Sequence, residues 1–364
     1  MPKGNTKLLA AIIGAIVLVV VLIYAVQGLF QPAEQEQEAL RVGVVLSVGG
    51  RGDKSFNDSA IEGLERAKEE LGIEYSYVEP REVPEMEELH RLFAQEGMDL
   101  IIGIGFLQGD AISKVAAEFP EQRFVVVDTV IDLPNVKSLV FREHEGSFLA
   151  GALAASLTRT NNVGFVGGMQ IPLIAKFQKG YEHGVEHVNQ LKGTNVTVQV
   201  AYAGTTGAAF RDPVKGKELA LSQIAQGADI IYHASGGTGI GVFEAAAEKG
   251  IKAIGVDANQ NWVQPGFIIA SMLKRVDVAV FDAIKSVQEG VFQAGKHEFG
   301  IAEGGIGLTD LVNVTEVEKA GVENDTAKIQ LIQQLKDTIP AEVRELIETL
   351  AQQIKDGEII VRFE

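Results

Sequence analysis

From residue 41 onward, short apolar runs alternate with amphipathic stretches almost without interruption, and this rhythm limits the fold more than any other feature. The runs "RVGVVLS", "DLIIGIG", "RFVVVD", "VKSLVF", "NVGFVGG", "VTVQVAYAG", "ADIIYHASGG", "IKAIGVDA" and "FIIASML" are continuous in Val, Ile, Leu and Phe. Strands buried on both faces read this way, because both sides of the pleat meet apolar cover. Between them lie helix-like segments such as "SAIEGLERAKEEL", "AISKVAAEF", "EGSFLAGALAASL", "VKGKELALSQIAQ" and "IGVFEAAAEKG". Strands alternating with helices imply βαβ units and parallel sheet. The strands are too many for one compact sheet of ordinary size, so the class expected is α/β with two lobes. The lobe change is expected near "VFREHEGSF", residues 140–148, where the strand rhythm restarts after a long helix. The end of the chain reads as helix, a break at Pro340, helix, and a short final strand.

The 364 residues carry a formal net charge of −17, which repels nucleic-acid phosphates and argues against a nucleic-acid partner. The chain contains no cysteine. That excludes disulfides, thiolate nucleophiles, cysteine metal sites and a lipid-modified N-terminal cysteine. Residues 8–28 are uncharged and follow Lys3 and Lys7. About 20 such residues span a hydrocarbon core of about 30 Å. Lysines before the apolar run and acids after it place the N-terminus in the cytoplasm and the remainder outside. Residues 1–30 therefore read as a cytoplasmic start and a transmembrane signal-anchor, with a cleaved signal as the alternative, and residues 31–40 as a polar stalk. The expected location is the cell membrane, single-pass, with the binding domain on the extracytoplasmic side.

In open α/β sheets, ligands bind beyond the carboxyl ends of the strands. That rule selects residues 53–57, 103–106, Asp128, 210–212, 235–239, Asp257 and Lys274. The set holds two rings on strand-end loops, Phe56 and Phe210, several carboxylates, and one lysine. Flat rings and hydrogen-bond-accepting carboxylates suit a planar heterocycle carrying a sugar. Three other patterns point elsewhere. "GIGFLQG" (residues 103–109) with Asp128 on the next strand has the look of a dinucleotide loop, but it belongs to a later βα unit. "GGTGIG" (residues 236–241) lacks the lysine of a triphosphate-binding loop. "HGVEH" places His183 and His187 on one helical face in the spacing of a zinc hydrolase, but a charged, solvated helix is the better reading. No metal or cofactor is expected, and an activated nucleophile is not evident among the loops.

From residue 41 to about 308, and more loosely to the end, the chain resembles the basic membrane protein family of ABC-transporter substrate-binding proteins, whose better understood members are purine nucleoside receptors. The resemblance is carried by "VGGRGDKSFNDSAIEGL", "FVVVDTVIDLPNVKSLVFREHEGSFLAGALAA", "VGFVGGMQIPLIAKFQKGYEHGV", "YAGTTGAAFRDPVKGKELA", "GADIIYHASGGTGIGVFEAA" and "IGVDANQ", in that order. It implies a type I periplasmic-binding-protein fold, with two doubly wound lobes joined by a three-crossover hinge. The segments expected are 41–141 for the first lobe, 142–262 for the second, 263–300 returning to the first, and 301–364 returning to the second. Carried over by position, the resemblance puts a purine base between Phe56 and Phe210, with Asn57 and Asp128 bonding the base. Gly237, Asp257 and Lys274 fall around the ribose, with Asp53 as a supporting acid. The implied function is capture of purine nucleosides for an ABC permease, without catalysis. A receptor for another small polar ligand, such as a sugar or signal molecule, is the alternative. Two departures stand out. Asn259 replaces a carboxylate usual in the family, and "YAGTTGAAFRDP" carries extra residues before Phe210.

Overall fold

A computed structural model describes residues 13–22, 24 and 38–363. It falls into two units, residues 1–39 and 40–364. In the first, residues 13–22 are helical and exposed. The expected signal-anchor (residues 8–28) and stalk (residues 31–40) run mostly through residues outside those described. Among the described residues, no helix is long and apolar enough to cross a membrane.

The second unit holds two six-stranded sheets. Twelve strands follow one another as β1 (Arg41–Val45), β2 (Glu74–Val78), β3 (Leu100–Gly103), β4 (Arg123–Val127), β5 (Val136–Phe141), β6 (Asn162–Met169), β7 (Thr197–Gly204), β8 (Ile230–Ala234), β9 (Lys252–Asp257), β10 (Ile268–Lys274), β11 (Gly295–Phe299) and β12 (Ile306–Leu308). The first sheet has the order β11-β5-β4-β3-β1-β2 and is parallel throughout. The second runs β12-β10-β9-β8-β6-β7, parallel except for the β10–β12 pair. Central strands such as β3 and β8 are buried along their length. That is why they read as unbroken apolar runs, each being covered by helices on both faces. The edge strands β2, "EYSYV", and β11, "GKHEF", alternate between exposed and half-buried residues.

The chain passes between the sheets three times, after Phe141, after Lys274 and after Phe299. The crossings lie side by side. Arg142 N–H donates to Phe299 O at 2.8 Å and Arg275 N–H to Gly305 O at 2.9 Å. The second crossing comes after Lys274 rather than at 263, because residues 261–267 make a turn that returns the chain to β10 beside β9. The first lobe's return segment is therefore the helix Val276–Gln288 plus β11. The final residues are not a strand. Arg362 N–H donates to His183 Nδ1 at 3.0 Å, so the chain end lies along a helix instead of adding to a sheet.

Helix Glu143–Leu157 opens the second lobe and packs closely on helix Pro172–Lys192. A side chain at Gly151, Gly180 or Gly184 would meet a backbone oxygen of the facing helix at 2.1, 2.3 or 2.0 Å. These glycines fix the first helix rigidly against the second lobe.

Candidate functional site: a cleft at the seam of two lobes

The carboxyl ends of both parallel sheets face one cleft, which encloses about 660 Å³ of empty space, part of it open to solvent. Seven of the residues expected from sequence line it: Asp53, Phe56, Asn57, Asp128, Phe210, Asp257 and Lys274. Gly237 sits just behind. A Cβ there would lie 3.3 Å from Phe210 O and 3.7 Å from Asp53 Cβ, and its neighbour Gly236 is the one at the cleft wall.

The loop after β1 shows how this wall is made. Asp53 accepts from the N–H groups of Ser55 (2.9 Å), Asn57 (2.9 Å) and Asp58 (3.2 Å), at the start of helix Phe56–Leu71. Unpaired N–H groups at a helix start need such an acceptor, and the carboxylate also meets the positive end of the dipole. Asn57 is 1% exposed and commits its amide to the loop. Its Oδ1 accepts from Ser47 N–H, and Nδ2 donates to Ser47 Oγ and Asp53 Oδ2, each at 2.9 Å. Both amide protons are thus engaged within the loop, leaving one lone pair of Oδ1 for anything in the cleft. Clamping the loop in this way sets Phe56 as the first helical residue with its ring on the cleft.

Phe210 enters from the other lobe. The extra residues before it form the short 3-10 turn Gly207–Phe210, which points the ring inward. The ring rests on Gly168, where a Cβ would approach within 2.3 Å, and meets Phe106 edge-on at 6.5 Å between centroids. Phe106 belongs to the "GIGFLQG" loop. There Gln108 donates to Leu46 O at 2.9 Å and pairs through Oε1 with His90 Nε2 at 2.9 Å, which ties the loop to β1.

The polar floor is a charged cluster. Asp128 and Asp257 end β4 and β9, one in each lobe, and both adopt left-handed backbone conformations, with φ of 72° and 64°. Such conformations are rare for residues with a side chain and gather at functional sites. Lys274 is 1% exposed, and its Nζ lies 2.7 Å from Asp128, donating to Oδ2, and 3.2 Å from Glu143 Oε1. Asp128 Oδ1 also lies 2.7 Å from the Lys274 ammonium, so both oxygens of this carboxylate face the lysine. The rings of Phe56, Phe141 and Phe177 surround the ammonium at 5.1, 5.1 and 5.7 Å. Burial pushes the Asp257 carboxyl up to about 6, against the pull of Lys274 and a 2.5 Å hydrogen bond from Ser55 Oγ. Burial likewise raises Asp128; Lys274 opposes that shift and Glu143 reinforces it. For Lys274, burial works against the charge, but Asp128, Glu143 and Asp257 outweigh it and raise its pKa.

Three of these contacts join the lobes: Asp128 with Lys274, Ser55 with Asp257, and Gln260 Nε2 donating to Lys54 O at 2.9 Å. Beside them Lys54 Nζ stands 5.7 Å from the ring centroid of Trp262. The lobes are therefore held shut over the cleft. Asn259 lies outside it, donating to Thr315 Oγ1 at 3.2 Å, so the loss of the usual carboxylate does not alter the lining. His183 and His187 pack edge-on against Phe148, and no metal-binding group of acids and histidines occurs among the described residues. Two glycines of "GGTGIG" serve packing: a Cβ on Gly239 would strike the His233 ring at 2.0 Å, and one on Gly241 the Pro213 carbonyl at 1.8 Å. Sequence reasoning missed Leu173, Ile174 and Phe177, which line the cleft from the start of helix Pro172–Lys192. Apolar residues on an amphipathic helix carry no mark that separates a cleft wall from a core.

Two α/β lobes joined by three adjacent crossings, with a ring-walled and carboxylate-floored cleft at the seam, define a binding protein of the periplasmic type. A family model described as Bmp, ABC transporter substrate-binding protein PnrA-like, matches residues 40–342, and the chain belongs to this family. It is 35% identical to an uncharacterized lipoprotein of Pyrococcus horikoshii, over 98% of this chain and 92% of that protein. It is 34% identical to the ABC transporter nucleoside-binding protein BmpA of Lactococcus lactis, over 83% of this chain and 89% of that one. The crystal structure of an ABC transporter solute-binding protein from Aeropyrum pernix superposes with a TM-score of 0.81 at 36% identity, covering 89% of this chain and 94% of the other.

Proposed function

We propose that this substrate-binding protein captures a purine nucleoside outside the cell and delivers it to an ABC permease, binding without turnover. The observation that carries the reading is the pairing of Phe56 and Phe210, one from each lobe, on a cleft whose floor holds Asp128, Asp257 and Lys274. A planar base fits between the rings, each contact contributing about 0.5–1.5 kcal/mol beyond the area covered. Asp128 Oδ1, 2.7 Å from the Lys274 ammonium, keeps a lone pair that accepts a base N–H. Asp257 and Lys274 take the ribose hydroxyls, the first as acceptor and the second as donor. Asp53 and Asn57 hold the Phe56 loop in place. The resemblance to a nucleoside-binding relative supports the ligand class.

Closure of the lobes excludes water, which strengthens these hydrogen bonds. Attachment follows the same logic by a different route. The Pyrococcus relative is a lipoprotein, whereas this chain has no cysteine to carry a lipid. The uncharged run at residues 8–28 serves as its anchor, leaving the two-lobed unit on the extracytoplasmic side. Mass spectrometry of the small molecule released when the native chain is denatured tests the ligand assignment. A purine nucleoside is expected; a sugar or an unrelated metabolite would overturn it.

A further inference from the structure

Lys274 is the sole cation among the residues lining the cleft, and its carboxylate partners belong to different bodies. Asp128 is part of the first lobe, its N–H donating to Leu139 O of β5 at 2.8 Å. Glu143, 0% exposed, opens helix Glu143–Leu157. That helix packs against β10, β12 and helices Pro172–Lys192 and Ala341–Lys355, all in the second lobe. A Cβ on Gly146 would lie within 2.8 Å of Met272 and 2.7 Å of Ile306, so the start of the helix has no freedom to shift against β10. Glu143 thus travels with Lys274, whereas Asp128 does not.

We propose that Glu143 is the counter-ion that holds Lys274 charged and in place when the lobes part, and that Asp128 joins the pair only on closure. The inference rests on the hinge-closing reading above. A buried ammonium left without a counter-ion is costly. Opening removes Asp128 together with the first-lobe rings Phe56 and Phe141, yet the Phe177 ring, on the second lobe, remains beside Lys274. Glu143 Oε1 at 3.2 Å then supplies the missing charge, and the helix N-terminus favours its carboxylate. The other charged groups facing this cluster are Asp257 and, on the far side of Glu143, Lys176, whose Nζ is 3.5 Å from Oε2. In the closed form Asp128, Asp257 and Glu143 crowd one ammonium, and like charges repel. Glu143 therefore stabilises the open form more than the closed one and keeps the empty receptor open to ligand.

The absence of native cysteine allows a clean test. Spin labels at Glu82→Cys in the first lobe and Val214→Cys in the second, both exposed positions, report the lobe separation of the full, ligand-free chain. The free wild type is expected to populate a longer distance that shortens with ligand. Glu143→Gln is expected to move the free protein toward the short distance, changing the open-to-closed ratio on the order of tenfold, and Asp128→Asn to move it the opposite way. Should Glu143→Gln not fold, Glu143→Asp, which keeps the charge but draws it back by one methylene, is expected to shift the same way to a smaller degree. A Glu143→Gln chain with a lowered Tm and an unchanged distance distribution, or one shifted toward open, overturns the inference while leaving hinge closure intact. A wild type with a single distance in both states overturns hinge closure and the inference together.

Discussion

Replacing Phe210 by alanine removes one wall of the proposed base site while leaving its scaffold in place. The ring is half-buried in the closed protein, resting on Gly168 and edge-on to Phe106. A base lying on it would cover the remaining face. Full burial of a Phe is worth roughly 1.5–3 kcal/mol, so covering about half contributes about 1 kcal/mol. Stacking adds about 0.5–1.5 kcal/mol. The sum, about 2 kcal/mol, corresponds to roughly 30-fold in Kd. Titration calorimetry of Phe210→Ala with adenosine, guanosine or inosine is expected to show that loss, with a modest fall in Tm because the half-buried ring also packs against the main core. Phe56→Ala is expected to weaken binding similarly and to lower Tm by a comparable amount, because Phe56 too is half-buried against the main core. Because the two rings share one base as partner, the double variant is expected to lose more than either single change without reaching their full product of about 10³-fold. A Phe210→Ala chain that binds within about threefold of wild type would refute the stacking argument.

The other expectations follow from the same cleft. With the lobes shut and no ligand, Asp257, its carboxyl at about 6, is largely protonated at pH 5, whereas a ribose hydroxyl donating to it favours the ionised form. Affinity is expected to fall about tenfold from pH 7 to pH 5, with proton release on binding seen as buffer-dependent enthalpy, and Asp257→Asn to flatten the profile. Because folding raises this carboxyl above its ordinary range, the free protein keeps the proton longer than the unfolded chain does. Its contribution to stability is thus present below pH 4 and lost as pH rises to about 6, by roughly 2–3 kcal/mol, which denaturant titration across that window measures. Gly168→Ala is expected to displace the Phe210 ring and weaken ligand binding at least tenfold, with Tm nearly unchanged, as calorimetry and thermal melts will read. Gln260→Ala breaks the clasp to Lys54 O and orphans Val256 N–H, which donates to Gln260 Oε1 at 2.7 Å. A loss of about 1–3 kcal/mol of stability is expected by denaturant titration.

The buried strands were legible because burial on both faces leaves nothing but apolar side chains, as in "LIIG" and "RFVVV". β2 and β11 were not, since an edge strand of five residues with polar side chains resembles a loop, and β12, "IGL", is too short to show a pattern. The second crossing was placed at 263 with the segments that the resemblance implied, whereas pairing with β9 keeps β10 in its sheet and moves the crossing past Lys274. At the site, the strand-end rule found Phe56, Asp128, Phe210, Asp257 and Lys274, because the geometry of parallel sheets fixes where loops converge. It could not see that Asn57 would spend its amide protons on Ser47 and Asp53, since hydrogen-bond saturation depends on the folded loop. Nor could it find Glu143, which lies in a hinge helix remote in sequence from the lysine it faces.

The central claim is that the cleft takes a purine nucleoside by closing over it. Titration calorimetry of the full wild-type chain with adenosine, guanosine, inosine and cytidine, monitored in parallel by the emission of the single tryptophan, Trp262, at the lobe seam, tests it most directly. The account predicts saturable binding of at least one purine nucleoside, weaker or absent binding of cytidine, and a ligand-dependent change in Trp262 emission. Binding of none of the three purine nucleosides would contradict it.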